Sequence, residues 1–215
     1  MSITNGYLSL TELQVTLGAT SSARKADYEL AIEAASRWID EHCSDRERNI
    51  IRHFWREASP SERTYTADTP WQVRTGDFDD PDTVTVEVDL VGDGTWTPLD
   101  AATWHPEPFN RIQGFPFTKI VSNSYGLLFP QSLQARVKVT ARWGWAAVPK
   151  PVAQACQILA VANMAGKEVV SMHDGYDIDS TGATNPWAFA EMLLEPYLPA
   201  EIADQAMLPK TPARP

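Results

Sequence analysis

Four histidines are the side chains of this sequence best suited to act as a general base or to bind a metal ion. They are His42, His53, His105 and His173. None has the spacing of a zinc-protease helix, a paired-cysteine site, a phosphate-binding loop, a serine-hydrolase elbow or a dinucleotide-binding turn. We therefore interpret them as structural and predict a non-enzyme with no catalytic residue, cofactor or metal. His42 is expected to lie at the end of a helix, where a positive charge on its ring would interact favourably with the negative end of the helix dipole.

Two acidic clusters offer oxygen ligands or paired carboxylates. The first contains Asp174, Asp177 and Asp179, within HDGYDIDSTG. Its ligand type suits calcium, but its order is not that of an EF-hand, so we interpret it as an acidic loop. The second contains Asp77, Asp79, Asp80 and Asp82. Glycosidase chemistry would need a cleft around such carboxylates, and a solvated turn explains them without one.

The charge balance argues against a protein that grips nucleic acid. The formal net charge is −10 and the isoelectric point is near 4.8, whereas nucleic-acid binding usually requires a basic stripe. The densest basic stretch contains Arg46, Arg48, Arg52 and Arg56, mixed with acids. It is typical of a solvated helical face.

Cysteine usage fits a reducing compartment, and hydropathy predicts neither a leader nor a membrane span. Cys43 and Cys156 are far apart and match neither a disulfide framework nor a metal spacing, so both are expected to be small core residues. The chain opens without a basic-then-apolar leader, and no apolar run reaches the roughly 18 to 20 residues of a membrane span. We expect a soluble protein with no membrane partner.

Helices are predicted at both ends of the chain. Ser9-Leu10-Thr11-Glu12 is a capping box, and Gly18 suits the residue after the helix end. A second helix should run from a cap at Ser21 or Ser22 to Cys43. Its apolar face is predicted to comprise Leu30, Ala31, Ala34, Ala35, Trp38 and Ile39. A third helix should span about 149–170, and a short one should start at the Asn185 cap with Pro186 in its first turn.

The middle of the chain is typical of an antiparallel β-module. Strands are predicted at 63–66, 71–73, 83–90, 95–98, 117–122 and 133–141, with a tight turn at Gly92-Asp93-Gly94. The segment 49–55 is ambiguous between helix and strand. The predicted fold is α+β: a helical core of three to four helices, formed by 1–56 and 142–194, with a β-module at 57–141 inserted between its second and third main helices. An extended tail occupies 195–215.

The most specific local feature is Trp143-Gly144-Trp145, which follows the last predicted strand and precedes the third helix. Gly144 would allow a sharp reversal that a tryptophan could not adopt. The two indoles could then be buried, wedged between sheet and helix or simply packed in the core, or they could lie exposed at an interface. The sequence leaves both interpretations open.

At this point the chain resembles a known family. The opening SLTELQVTLGAT…DYELAIEAASRWIDEHC, the β-rich middle and above all VKVTARWGWAAVPKPVAQACQILAV resemble the head-to-tail adaptor (head-tail connector) proteins of long-tailed bacteriophages. The resemblance covers roughly residues 8–167. One departure is that such proteins often continue with a basic stretch, whereas AGKEVVSMHDGYDIDSTG is mainly acidic.

The resemblance implies a non-enzymatic virion protein of the neck that forms a ring of about twelve copies and is located in the host cytoplasm during assembly. Its expected partners are copies of itself, the portal protein, and a stopper or tail-terminator protein. DNA would pass through the channel without specific binding, and an acidic bore suits such passage. The helices are expected to border the channel, with the β-module facing outward or toward the next layer. The tail after Glu195 is predicted to dock onto the portal. The expected partner-interface residues are Arg142, Trp143 and Trp145 at the Trp-Gly-Trp segment, and Tyr197, Leu198, Ile202, Met207 and Leu208 in the tail.

Two alternatives remain open. A stopper or tail-completion protein of the same neck fits the same residues. A carbohydrate-binding β-module on a helical scaffold would use Trp71, Trp96 and Trp104 as stacking platforms.

Overall fold

The chain folds into two compact units, one built from both ends of the sequence and one from its middle. The computed structural model describes residues 3–19, 22–45, 50–112, 114–123, 128–130, 134–171 and 185–198. Met1–Asn49 and Val148–Pro215 form the helical unit, and Ile50–Ala147 form the β-unit. The α+β class and the insertion of strands between the second and third long helices are confirmed. Residues 50–56 and 142–147 group with the strands, whereas the sequence analysis assigned them to the helices.

Helix α1 (Leu10–Thr16) begins and ends where its sequence predicts. The Ser9 hydroxyl accepts the Glu12 backbone N–H at 3.2 Å, and the Glu12 carboxylate accepts the Ser9 backbone N–H at 2.8 Å. These reciprocal bonds satisfy backbone donors that a helix start leaves without partners. Gly18 follows the helix with φ of +62°, as expected for a residue that reverses the chain there.

Helix α2 (Lys25–Cys43) is preceded by a single 3₁₀ turn, Ser22–Arg24. The predicted cap at Ser22 is wrong, because Arg24 holds the N-cap position without a side-chain bond; Ser21 lies outside the described residues. The predicted apolar face is too wide. Ala31, Ala35 and Ile39 are buried, but Ala34 is exposed and Leu30 is 49% exposed, since the buried arc is centred on the side of Ile32.

Helices α3 (Lys150–Ser171) and α4 (Pro186–Leu194) complete the helical unit. The Ala153 N–H donates to the Pro149 carbonyl, so the two prolines at this start cost no helical bond. The Asn185 side chain accepts the Trp187 N–H at 3.1 Å and caps α4 as predicted. Helix α3 packs against both α2 and α4. Its buried face includes Val152, Cys156, Leu159, Ala160 and Met164.

Residues just before α1 are fastened to α2 by a polar cluster. The Tyr7 backbone N–H donates to the Ser36 hydroxyl at 3.1 Å, and the Tyr7 hydroxyl donates to the Asp40 carboxylate. Arg37 forms an ion pair with Asp40 at 3.1 Å. Burial raises the pKa of Asp40 to about 6, against the opposing effects of Tyr7 and Arg37. The carboxyl is therefore a group whose proton affinity depends on folding.

The β-unit contains two antiparallel sheets. The four-stranded sheet has the order β1-β7-β3-β4 and the three-stranded sheet the order β2-β6-β5. The strands are β1 (Ser61–Tyr65), β2 (Gln72–Phe78), β3 (Thr85–Asp89), β4 (Thr97–Pro98), β5 (Trp104–Glu107), β6 (Phe117–Ser122) and β7 (Arg136–Ala141). Their inward side chains build one core, in which Phe78, Val86, Ile120, Val139 and Trp143 are fully or almost fully buried.

Most of the predicted strands are present. The predicted 117–122 strand coincides with β6, and β3 pairs with β4 across the predicted glycine turn, with Val88 opposite Thr97. Strand β5 was missed because it is a short edge strand containing Pro106, which demotes a strand prediction. Strand β2 was predicted to end at Val73 but continues to Phe78 through a register shift at its centre.

None of the helices in the described ranges is long and apolar enough to span a bilayer.

The cluster around Asp40 predicts a pH-dependent stability. The native carboxyl, with a pKa of about 6, keeps a proton that the unfolded chain releases near 3.8. The stability contributed by this proton is fully present below pH 3.8 and is lost as pH rises through about 6. Asp40→Asn should therefore gain stability relative to the wild type as pH rises from 4 to 7, measured by urea unfolding.

The matched control is Asp27→Asn, which removes a charge at an exposed position of the same helix. A stability difference between Asp40→Asn and wild type that stays constant across this pH range would contradict the prediction.

Candidate functional site

The Trp-Gly-Trp segment is the point at which the chain leaves the last strand of the β-unit. Gly144 has φ of +98°, and a Cβ placed there would lie 1.8 Å from the Trp55 carbonyl oxygen. Its N–H donates to the Asp77 carbonyl at 2.7 Å, and the Glu57 N–H donates to the Trp143 carbonyl at 2.9 Å. Residues 142–147 are called here the exit segment, and residues 50–58 the entry segment. The backbone of the exit segment is thus bonded to both β2 and the entry segment. Only glycine fits between them.

Trp143 is fully buried in the core of the β-unit. Its indole N–H donates to the Ser61 carbonyl at 2.9 Å, so this buried donor is satisfied. The ring meets Phe78 edge-on with centroids 6.0 Å apart. The Arg63 guanidinium lies 4.6 Å from the ring centroid, close enough for a cation–π interaction.

Trp145 is also buried, and it contacts a buried carboxylate. Its indole N–H donates to Asp77 Oδ2 at 2.8 Å, and its ring packs against Phe54 and Phe115. The same Oδ2 lies 2.8 Å from Nε of Arg52. A buried carboxylate with two such donors is a satisfied charge. Asp77 therefore links β2, the entry segment and the exit segment.

The prediction that the second acidic cluster is a solvated turn is wrong for Asp77, which is 3% exposed. Arg56 forms ion pairs with Asp79 at 3.1 Å and with Asp80 at 3.6 Å. Two stretches interpreted separately as solvated charge thus pair with each other. Arg52 and Arg56 are four residues apart, and the acids they meet lie two and three residues apart. These spacings do not match, so the sequence gives no signal of the pairing beyond the opposite charges. Arg46 and Arg48 lie outside the described residues.

His53 is held in one tautomer beneath the exit segment. Its Nδ1 lies 2.8 Å from the Trp55 carbonyl, which can only accept, so Nδ1 carries the proton. Its Nε2 then accepts from Arg63 at 3.0 Å, and Arg63 also donates to Glu57 at 2.8 Å. Burial lowers the pKa of His53, which keeps the ring neutral.

Of the remaining histidines, the structure describes His42 and His105. His42 stacks on Trp38 at 4.7 Å, and burial lowers its pKa, so the expected favourable charge at the helix end is weakened. His105 stacks on Phe109 at the surface. His173 and the acidic loop with Asp174, Asp177 and Asp179 lie outside the described residues. Within the described ranges, no three His, Cys, Asp or Glu side chains are grouped to hold a metal ion.

The cysteines occupy the positions expected of core residues. Neither Cys43 nor Cys156 forms a disulfide, and both are fully buried. Burial raises the pKa of the Cys156 thiol to about 11, so the reactive thiolate is suppressed.

The predicted interface residues occupy different environments in the chain. Trp143, Trp145 and Tyr197 are buried. Arg142 donates to the carbonyls of Glu57 and Ala58, at 3.1 and 2.6 Å, and so ties exit to entry. Leu198 is half-buried at the end of a 3₁₀ turn, Glu195–Tyr197. Ile202, Met207 and Leu208 lie outside the described residues. An interface role for these residues stays a prediction.

The three tryptophans of the carbohydrate-binding alternative do not form a common platform. Trp104 is buried, and Trp96 is half-buried with the Lys138 ammonium 4.8 Å from its ring centroid. Only Trp71, at 53% exposed, presents a ring to solvent among the three. Stacking on a sugar requires an accessible ring face, so this geometry does not favour the alternative.

Solved structures share this fold. No protein-family model and no curated protein matches the sequence. A chain from the neck of an empty gene transfer agent (GTA) particle, computed with C6 symmetry, aligns with a TM-score of 0.54 and 21% identity over 90% of this chain and 92% of that chain. A chain from the virion of a native GTA particle aligns with a TM-score of 0.52 and 20% identity over the same shares. These similarities establish a common fold.

The close approach at Gly144 predicts a large effect of one methyl group. Gly144→Ala should lose about 1–2 kcal/mol to backbone strain and about 1–3 kcal/mol more because its Cβ collides with the Trp55 carbonyl. Chemical denaturation measures the loss. Gly94→Ala is the control, since Gly94 also has positive φ, +86°, but has no atom within 4 Å of an added Cβ. Equal losses in the two variants would refute the steric explanation.

Neutral His53 predicts acid sensitivity of the β-unit. Its pKa is lowered from 6.5, so the unfolded chain binds the proton first as pH falls, and stability is lost below about 6.5. His53→Gln, which cannot titrate, should be less stable than wild type at pH 8, with a gap that narrows by pH 5. Tryptophan fluorescence during denaturation measures this gap; a gap that widens on acidification would show the opposite linkage.

Proposed function

We propose that this protein is a structural component of the neck of a phage-like particle, acting as a head-to-tail adaptor in a ring below the portal. The observation that carries the proposal is the fold shared with neck and virion chains of GTA particles across nine-tenths of each sequence. The Trp-Gly-Trp motif supports it independently, because it is the most specific residue pattern shared with the adaptor family.

The chemistry of the described residues suits a structural role. The place where β2, the entry segment and the exit segment meet is called here the junction. Its charged groups bond to neighbouring side chains: Asp77 to Arg52 and Trp145, and Arg63 to His53 and Glu57. Because these groups already form hydrogen bonds and ion pairs with one another, they hold backbone segments in place and are not available to bind a substrate. We infer a non-catalytic protein whose junction rigidifies the β-unit.

The ring is proposed to contain about twelve copies, with the portal protein and a stopper or tail-terminator protein as neighbours. The acidic charge of the chain, −10, favours a channel wall that DNA passes without binding. A stopper or tail-completion protein of the same neck is the second candidate, since the shared fold alone does not distinguish positions along the neck.

Immunogold labelling of intact particles tests the assignment. An antibody against the purified chain should label a single site between head and tail. Label on the capsid wall, along the tail, or only on unassembled protein would overturn the neck assignment. Label on tailless heads as well as on complete particles favours the adaptor over a tail-completion protein.

The tail is proposed to bind the portal, and the structure sharpens the truncation that tests this. Tyr197 is buried in the helical unit, so a cut after Glu195 would damage the fold. A chain ending at Leu198 should keep the wild-type melting temperature and lose co-purification with the portal. Ile202→Asp with Leu208→Asp in the full-length chain gives a second test without truncation. Undiminished portal binding by both variants would exclude the tail as the attachment.

A further inference from the structure

The turn between β3 and β4 exposes two aliphatic side chains on a fixed backbone. Leu90 and Val91 are 58% and 61% exposed. The preceding Asp89 is buried, and its carboxylate accepts the N–H groups of Val91, Gly92 and Gly94 at 3.2, 2.7 and 2.9 Å. The residues Leu90–Gly94, called here the β-tip, are therefore held from within. A rigid apolar projection loses little conformational entropy on binding.

The β-tip lies away from the junction. Asp89 pairs with Arg136 at one end of the β3–β7 ladder, and Thr85 pairs with Thr140 at the other, beside the exit segment. The β-tip is thus at the opposite end of its sheet from Gly144. Its two aliphatic side chains lie away from the junction, and neither belongs to the core of the β-unit.

The helical unit contains a groove of matching character between α1 and α3. It is an open groove of about 580 Å³, a volume within the range of about 300–1,000 Å³ that accommodates a small ligand. Leu8, Val15 and Ala153 supply apolar surface, and Val15 is 77% exposed. Two aliphatic side chains are no larger than such a ligand.

The charges of the two surfaces are complementary. Lys150 lies at the groove and is exposed. Asp93, two residues beyond Val91, is the exposed charge of the β-tip. Glu12 also lines the groove, but its carboxylate is engaged by the Ser9 N–H and hydroxyl at 2.8 and 2.6 Å. Glu12 stays ionised, since these bonds lower its pKa, but it is turned to Ser9; Lys150 forms no ion pair with another described residue and can face an incoming acidic tip.

We propose that the β-tip of one copy docks into the α1–α3 groove of a second copy, with Leu90 and Val91 against Val15 and with Asp93 facing Lys150. This proposal rests on the proposed ring, because a head-to-tail ring requires two different, complementary patches on each subunit. The β-tip and the groove are such a pair, on different parts of one chain.

Cross-linking between two single-cysteine variants tests the contact. Val91→Cys and Val15→Cys chains, differently tagged, are mixed or co-expressed and then oxidised. A disulfide between different tags reports contact between copies and excludes contact within one chain. The native cysteines do not compete, because both are fully buried. Val91→Cys mixed with Leu30→Cys is the control, since Leu30 is exposed on the outer side of α2.

The expected result is a cross-link of 91 to 15 at least tenfold above the 91-to-30 control, in concentrated chain or in particles. Equal yields for both pairs, or no 91-to-15 product where the chain is assembled, would overturn the proposal. Neck labelling by antibody is read separately. Labelled necks without the cross-link leave the neck assignment intact and remove this contact alone.

Charge reversal supplies a second test. Asp93→Lys and Lys150→Asp should each weaken self-association at least tenfold in sedimentation experiments, and the double variant, with the net charge of the wild type, should recover it. Asp100→Lys is the control, because it reverses another exposed acid of the β-unit. Failure of the double variant to recover, or an equal effect of Asp100→Lys, would refute the Asp93–Lys150 pairing.

Discussion

The structure of the β-unit depends on one buried carboxylate. Asp77 accepts the Arg52 guanidinium and the Trp145 indole through its side chain, and the Gly144 N–H through its carbonyl. One residue thereby connects the strand that carries it with the segments where the chain enters and leaves the unit. Breaking a buried ion pair by removing one partner costs about 3–5 kcal/mol, because the other charge remains buried. The rings of Phe54 and Phe115 pack against the indole that this carboxylate holds.

Around this carboxylate the two tryptophans divide their roles. Trp143 completes the core of the sheets and donates to Ser61, whereas Trp145 closes over Asp77 and packs against Phe54. Gly144 is required between them because the backbone must pass against Trp55. Within the chain both rings are buried, and an interface role for either ring stays a prediction.

Local signals in the sequence predicted local structure well. The capping box at Ser9, the Asn185 cap and the glycine turn after β3 each depend on side chains within a few residues of the backbone they satisfy. Features decided by distant residues could not be predicted. Asp77 and Arg52 are far apart in sequence, so their pairing follows from the strand order and not from their neighbours. The outward position of Leu30 likewise depends on where α3 and α4 pack, which helical periodicity does not specify.

The placement of the β-unit between α2 and α3 has a consequence for synthesis on the ribosome. Helix α2 is complete at Cys43, yet α3, against which it packs, begins at Lys150. The first two helices must therefore wait, with their apolar faces uncovered, while about a hundred further residues emerge. The β-unit, whose strands are contiguous in the chain, can fold during that interval. The middle of the nascent protein can thus be folded while the apolar faces of its first helices are still exposed, and exposed apolar surface is what chaperones bind.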